Sequence, residues 1–168
     1  MFFFFDLPRL VQAVIKKLVR LIGNERMAMV MDWVHEYTRD EIDEALRGKE
    51  KIDREINNRW QVERLDACLS PSYYHAAFKH EDDSDLGLNA DYTAIWNTLH
   101  FPSGVVPVTE VLPEEENVYT DNYNDLLTSK FRSNVQGSAG MPIAVQVSTM
   151  KWKDEECVAI MKILDDAV

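Results

Sequence analysis

Apolar residues recur at three- and four-residue steps near the start of the chain: Leu7, Leu10, Val11, Val14, Ile15, Leu18, Leu21 and Ile22. That spacing predicts an α-helix with one apolar face. Arg9, Gln12, Lys16 and Arg20 occupy the opposite face, with Lys17 and Val19 at the flanks. Pro8 suits the first turn, and Gly23-Asn24 suit a stop. Two environments satisfy such a helix. It can pack its apolar face on a protein core, or lay that face into a lipid interface with lysines near anionic headgroups.

Further along, Met27, Val30, Met31 and Val34 mark a second apolar face. Ile42, Leu46, Ile52, Ile56 and Trp60 mark a third, narrower one, so residues 25–60 read as helical with Glu and Lys on wet positions. Residues 65–69 form a short apolar run stopped by Ser70-Pro71, which predicts a buried strand. A polar loop over 72–90 separates it from a short helix carrying Tyr92, Ile95, Trp96 and Leu99, which ends before Pro102. Residues 105–112 are β-rich, and Pro107 within them predicts an edge, a bulge or an early strand position. A helix around Tyr123, Leu126, Leu127 and Phe131 follows. A strand over 143–147 is opened by Gly140-Met141-Pro142. The last helix starts near Asp154, with Cys157, Ile160, Met161 and Leu164 on one face and Asp154, Glu155 and Glu156 in the first turn, where the helix dipole favours negative charge. Helices that precede and alternate with short strands give an α/β class, with too few strands for a well-covered sheet.

Charge changes this picture. The chain carries −11 overall. Its first 22 residues hold Arg9, Lys16, Lys17 and Arg20 against Asp6, net +3, and the remainder holds −14. No basic patch offsets the acidity, which argues against a nucleic-acid partner. The basic start invites a membrane reading. The run of phenylalanines at 2–5 is far shorter than the ~20 apolar residues a membrane span needs. It also lacks the flanks of a secretory signal.

Candidate chemistry is sparse. Cys68 and Cys157 show neither zinc nor disulfide spacing, and each sits in an apolar stretch that predicts a buried thiol. His35, His75, His80 and His100 show no metal spacing; His75 and His80 are expected in solvent and His100 at a helix end. The acidic residues Glu81, Asp82, Asp83 and Asp85 fail as a calcium loop, because Leu88 and Ala94 stand where glycine and glutamate are required. Gly137-Ser138-Ala139-Gly140 precedes a strand rather than a helix, so it reads as a flexible turn and not as a nucleophile elbow. The sequence calls for no metal and no cofactor, and it supplies no catalytic residue.

Three stretches then fall into a known order. Residues 60–71 read Trp-Gln-Val-Glu-Arg-Leu-Asp-Ala-Cys-Leu-Ser-Pro. Residues 101–109 read Phe-Pro-Ser-Gly-Val-Val-Pro-Val-Thr, the most specific run. Gly140, Pro142, Val145 and Gln146, with Trp152 and Glu155, form the third. Together they resemble the C-terminal portion of the amidase signature superfamily, and within it the fatty acid amide hydrolases. The resemblance implies a partial mixed β-sheet flanked by helices and a division into 1–60, cap-like amphipathic helices, and 61–168, the C-terminal portion of an amidase domain. It implies lipid amide substrates, an intracellular location peripheral to endomembranes, and a homodimer. It also tips the N-terminal helix toward the membrane, with Leu10, Val14, Leu18, Lys16 and Lys17 as membrane-facing residues.

The family's lysine base and two serines lie in a serine- and glycine-rich region upstream of the matched part, and nothing in residues 1–168 corresponds to them. Ser138 does not match the nucleophile. Amide hydrolysis needs an activated nucleophile and preorganised oxyanion donors, so the chain alone is expected to be inactive. Trp152 matches a tryptophan that lines the family's substrate channel; it could equally anchor the last helix in the core. The alternative function is a non-catalytic module that binds membranes or lipids, or that partners an amidase subunit.

Overall fold

The structure is a computed structural model, and it describes residues 7–33, 35–82, 86, 90–123 and 125–168. The phenylalanine run, Val34, Asp83, Asp85 and Leu88 lie outside the described residues. Helix α1 spans Arg9–Leu21. Pro8 takes the N-cap position rather than the first turn, and its carbonyl accepts from Val11 and Gln12 N–H. Gly23 ends the helix with φ +84°, while the Asn24 N–H reaches back to the Val19 carbonyl. This is a glycine-terminated cap of the kind the sequence predicts. A second helix, α2 (Glu25–Trp33), folds back against α1.

The helical stretch of 25–60 is interrupted. Helix α3 begins afresh at Arg39 and runs to Val62. Thr38 caps it: its Oγ1 accepts from Glu41 N–H, and the Glu41 carboxylate accepts from Thr38 N–H at 2.7 Å. The capping box supplies partners to orphan N–H groups and so fixes a new helix start. The apolar face of α3 is used unevenly. Ile42, Leu46 and Ile52 stay about half exposed, whereas Ile56 and Trp60 reach the core.

The α/β class holds. Strands β1 (Cys68–Pro71), β2 (Ser103–Glu110) and β3 (Pro142–Ser148) form one antiparallel sheet in the order β1-β3-β2. Cys68 pairs with Ser148 on one side of β3, and Ser103 pairs with the same Ser148 on the other. The register slips between Pro107 and Thr109, so Pro107 marks a bulge. β1 lies later than the 65–69 run suggested, and Leu69 is exposed. The physical reason is that residues 63–65 finish α3. Arg64 turns left-handed (φ 53°), and Leu65 N–H bonds the Trp60 carbonyl, so neither can enter a ladder.

Helix α4 (Asp91–Leu99) ends at a left-handed His100, and Phe101 N–H then returns to the Trp96 carbonyl. Trp60, Trp96, Leu99 and Phe101 form the core, with Ile56, partly buried Cys68 and Met150 packed on it. Trp60 meets Phe101 edge-on, with ring centroids 5.5 Å apart. Helix α5 (Leu126–Val135) buries Phe131 against the rings of Tyr74, His75 and Tyr119. The last helix, α6 (Asp154–Asp165), lies on β2 and β3 and buries Cys157. Cys68 is only partly buried, a correction to the paired buried thiols expected; it lies on a strand of alternating burial.

Candidate functional site

Each expected site residue has a defined place, on two separate elements. Trp152 lies in the turn between β3 and α6. Lys153 N–H bonds the Met150 carbonyl at 3.2 Å, which makes residues 150–153 a four-residue turn with Trp152 in its third position. There Trp152 adopts φ 65°, a left-handed conformation that such turns normally give to glycine. Its side chain is 89% exposed, so the alternative of a core anchor for the last helix is overturned. The turn is held on both sides. Lys151 Nζ donates to both carboxylate oxygens of Asp53 on α3 at 2.7 Å. Thr149 Oγ1 donates to the Lys153 carbonyl at 3.0 Å. At its foot lies a cavity of about 320 Å³ lined by Trp60, Arg64, Leu65, Met150, Lys153 and Glu156, among others.

The second group lies on α1. Leu10, Val14, Leu18, Leu21 and Ile22 are 52–80% exposed and form a continuous solvent-facing stripe. The other side of the helix turns toward α2. There Lys16 Nζ lies 3.3 Å from the Asp32 carboxylate, and Arg20 pairs with the same group. Both cations hold the Asp32 carboxyl below the usual range. Lys16 is therefore engaged within the hairpin, while Lys17 is exposed at the edge of the stripe.

A cluster that the sequence did not disclose ties this hairpin to the body. Arg26 on α2 grips Asp125 through Nε (2.8 Å) and Nη2 (2.5 Å). Nη2 also lies 2.6 Å from Thr128 Oγ1, and Nη1 lies 3.5 Å from the Asp121 carboxylate. The Tyr123 ring stacks under the guanidinium at 4.5 Å. Asp125 also caps α5 by accepting from Thr128 N–H. The Arg26 hydrogen bond holds the Asp125 carboxyl at about 2. Arg26 and Asp125 are separated by 99 residues, and no local pattern links them. The only legible trace was Asp125 itself, one residue before an apolar run, where an N-cap belongs.

Among the described residues, Ser138 and the histidines do not come together in one site. Ser138 is buried, and its hydroxyl donates to the Val135 carbonyl at 2.7 Å. Its segment is a turn, as expected, with Gly137 (φ 75°) and Gly140 (φ 79°) both left-handed. His80 is exposed as expected, but His75 is not in solvent. Its ring packs edge-on against Tyr73 and Phe131, with centroids 5.3 and 5.2 Å away. Nδ1 faces the Ala76 carbonyl, which can only accept, so Nδ1 carries the proton. Nε2 is buried without a partner, and burial pushes the His75 pKa down. His75 missed its expected place because the polar loop around it is rich in rings that close over it. Among the described residues, no group of three or more His, Cys, Asp or Glu could hold a metal ion. No described helix is long and apolar enough to cross a membrane.

The chain is similar to known proteins. Fatty acid amide hydrolase 1 of Caenorhabditis elegans is 32% identical over 149 residues, covering 85% of this chain and 25% of that protein. Fatty-acid amide hydrolase 1 of Sus scrofa is 32% identical over 106 residues, covering 61% of this chain and 18% of that protein. A solved fatty acid amide hydrolase superposes with a TM-score of 0.66 at 24% identity, over 79% of this chain and 24% of its own length. That likeness shows the fold. The chain thus spans a quarter or less of the length of these relatives. The amidase family model itself matches residues 8–158, from the start of α1 into α6, and so the chain belongs to the amidase family.

Proposed function

We propose that these residues form the access side of an amidase that hydrolyses lipid amides, meeting a membrane through α1 and the acyl chain through Trp152. The groups that attack the amide carbonyl are supplied from outside residues 1–168, and this chain alone does not turn over substrate. The observation that carries the reading is the exposed apolar stripe on α1, whose opposite face is engaged by Asp32. An apolar stripe of this length, left uncovered, marks an interaction surface. The names of the relatives supply the chemistry: both act on fatty acid amides by their description. In this reading Leu10, Val14 and Leu18 enter the lipid. Lys17 meets anionic headgroups at once, and Lys16 does so in competition with Asp32. The parent protein is intracellular, peripheral to membranes and a homodimer, and residues 1–60 act as the cap on a body formed by 61–168.

The test is co-sedimentation with vesicles of phosphatidylcholine and phosphatidylserine. Binding is expected to weaken as salt rises, because headgroup attraction is screened. Val14→Asp with Leu18→Asp should reduce binding at least tenfold, since burying even one such side chain contributes about 1.5–3 kcal/mol. Unchanged binding by that variant overturns the membrane reading. The same stripe serves a second reading, a non-catalytic lipid-binding module or a partner of an amidase subunit. Cooperative thermal unfolding of the chain by itself favours that second reading over a portion that needs the rest of its fold.

A further inference from the structure

Among the described residues, three outside glycine adopt left-handed backbone: Arg64, His100 and Trp152. The first two have an evident reason, since each closes a helix and the next residue's N–H bonds a carbonyl in its last turn. Trp152 closes no helix. It occupies the third position of the 150–153 turn, where a glycine costs nothing and a β-carbon is strained. Nor does its side chain repay the strain by packing, because the indole stands in solvent. A conformation of this kind persists only where the surroundings over-determine it.

The surroundings do so through one ion pair. Lys151, directly before Trp152, places its ammonium on both oxygens of Asp53. Asp53 is itself held: Asn57 Nδ2, one turn on, donates to the Asp53 carboxylate at 3.2 Å and to its carbonyl at 2.7 Å. Both side chains are about three-quarters buried, so solvent competes weakly for either. α3 is a continuous helix through this point, which makes Asp53 a fixed mount rather than a mobile surface group. On the far side the Thr149 hydroxyl holds the Lys153 carbonyl.

We propose that Asp53 is a positioning residue for Trp152: through Lys151 it locks the turn that holds the exposed indole in a strained, single orientation. The consequence for specificity, that Asp53 sets which acyl chains pass the indole, rests on the reading of Trp152 as a substrate-channel residue. The positioning itself does not, and the experiment separates the two.

The experiment labels the whole chain with 5-fluorotryptophan and records ¹⁹F spectra, with the Trp152 signal assigned by Trp152→Phe. Asp53→Asn and, independently, Lys151→Met are expected to shift and broaden the Trp152 signal while Trp33 and Trp96 stay in place. The charge swap Asp53→Lys with Lys151→Asp is expected to narrow the signal again. A Trp152 signal unmoved in both single variants overturns the proposal, as does a common shift of all signals, which would report a structural role only. Titration of the labelled chain, free of substitutions, with a long-chain acyl amide then tests the channel reading alone. No response at Trp152, with the Asp53 effect intact, removes the specificity consequence and leaves the positioning role standing.

Discussion

Replacing Asp125 by Asn removes one charge and little else. Asn is as good an N-cap as Asp, so the acceptor for Thr128 N–H at the start of α5 is retained. What is lost is the charge opposite Arg26. The Asp125 side chain is 1% exposed, so solvent screening of the pair is weak. Its carboxyl is held at about 2 against an ordinary 3.8, with the Arg26 hydrogen bond as the largest cause. At about 1.4 kcal/mol per pKa unit, that difference corresponds to roughly 2.5 kcal/mol of folded-state stabilisation at neutral pH. The raised Arg26 pKa describes the same pair and adds nothing further. The sign follows from proton binding. The folded carboxyl gives up its proton more readily than the unfolded one, so the stabilisation is complete above about pH 4 and is lost as pH falls through 3.8 toward 2. Urea unfolding should therefore show Asp125→Asn destabilised by about 2–3 kcal/mol at pH 7, with the gap closing near pH 2. A gap below about 0.5 kcal/mol at pH 7, or one that persists at pH 2, would refute the reasoning.

Other outcomes follow from the packing. A Cβ at Gly104 would lie 2.2 Å from Met161 Sδ and 2.5 Å from its Cε, so Gly104→Ala forces the end of that flexible side chain aside. The cost should be about 1 kcal/mol, and most of it should vanish in the Met161→Ala background; an undiminished cost there contradicts the contact. His75 is held neutral by burial, so below about pH 6.5 the unfolded chain takes up a proton that the folded chain resists. Stability should fall as pH drops from 7 to 5, and His75→Phe should flatten that part of the Tm profile; an equally steep profile in the variant rules the account out.

The legible parts of this fold are those written locally. The 3.6-residue spacing gave α1, and Gly23 supplied the left-handed residue that stops it. Pro107 cannot donate to a ladder, and the ladder shifts register beside it. Three acids mark the first turn of α6. Local pattern is blind to long-range partners, and that is where the reading fell short. Lys16 has the same helical-wheel position whether it meets a phosphate or Asp32, and only the fold-back of α2 decides. The Arg26–Asp125 and Asp53–Lys151 pairs each span almost a hundred residues, beyond any spacing rule. His75 lies in a polar segment whose rings bury it, and composition cannot show that closure. Trp152 fitted a core anchor and a channel wall equally by sequence; its bare indole argues against the first.

In the proposed reading, the groups that attack the amide carbonyl lie outside residues 1–168. Ser138 is the one hydroxyl in a glycine-flanked motif, and it is buried and bonded to a backbone carbonyl. The decisive measurement is mass-spectrometric detection of free fatty acid after the purified chain is incubated with a long-chain acyl amide, with Ser138→Ala in parallel. Release no faster than in buffer, for both proteins, is the predicted result. Steady turnover by the chain that disappears in Ser138→Ala would contradict it.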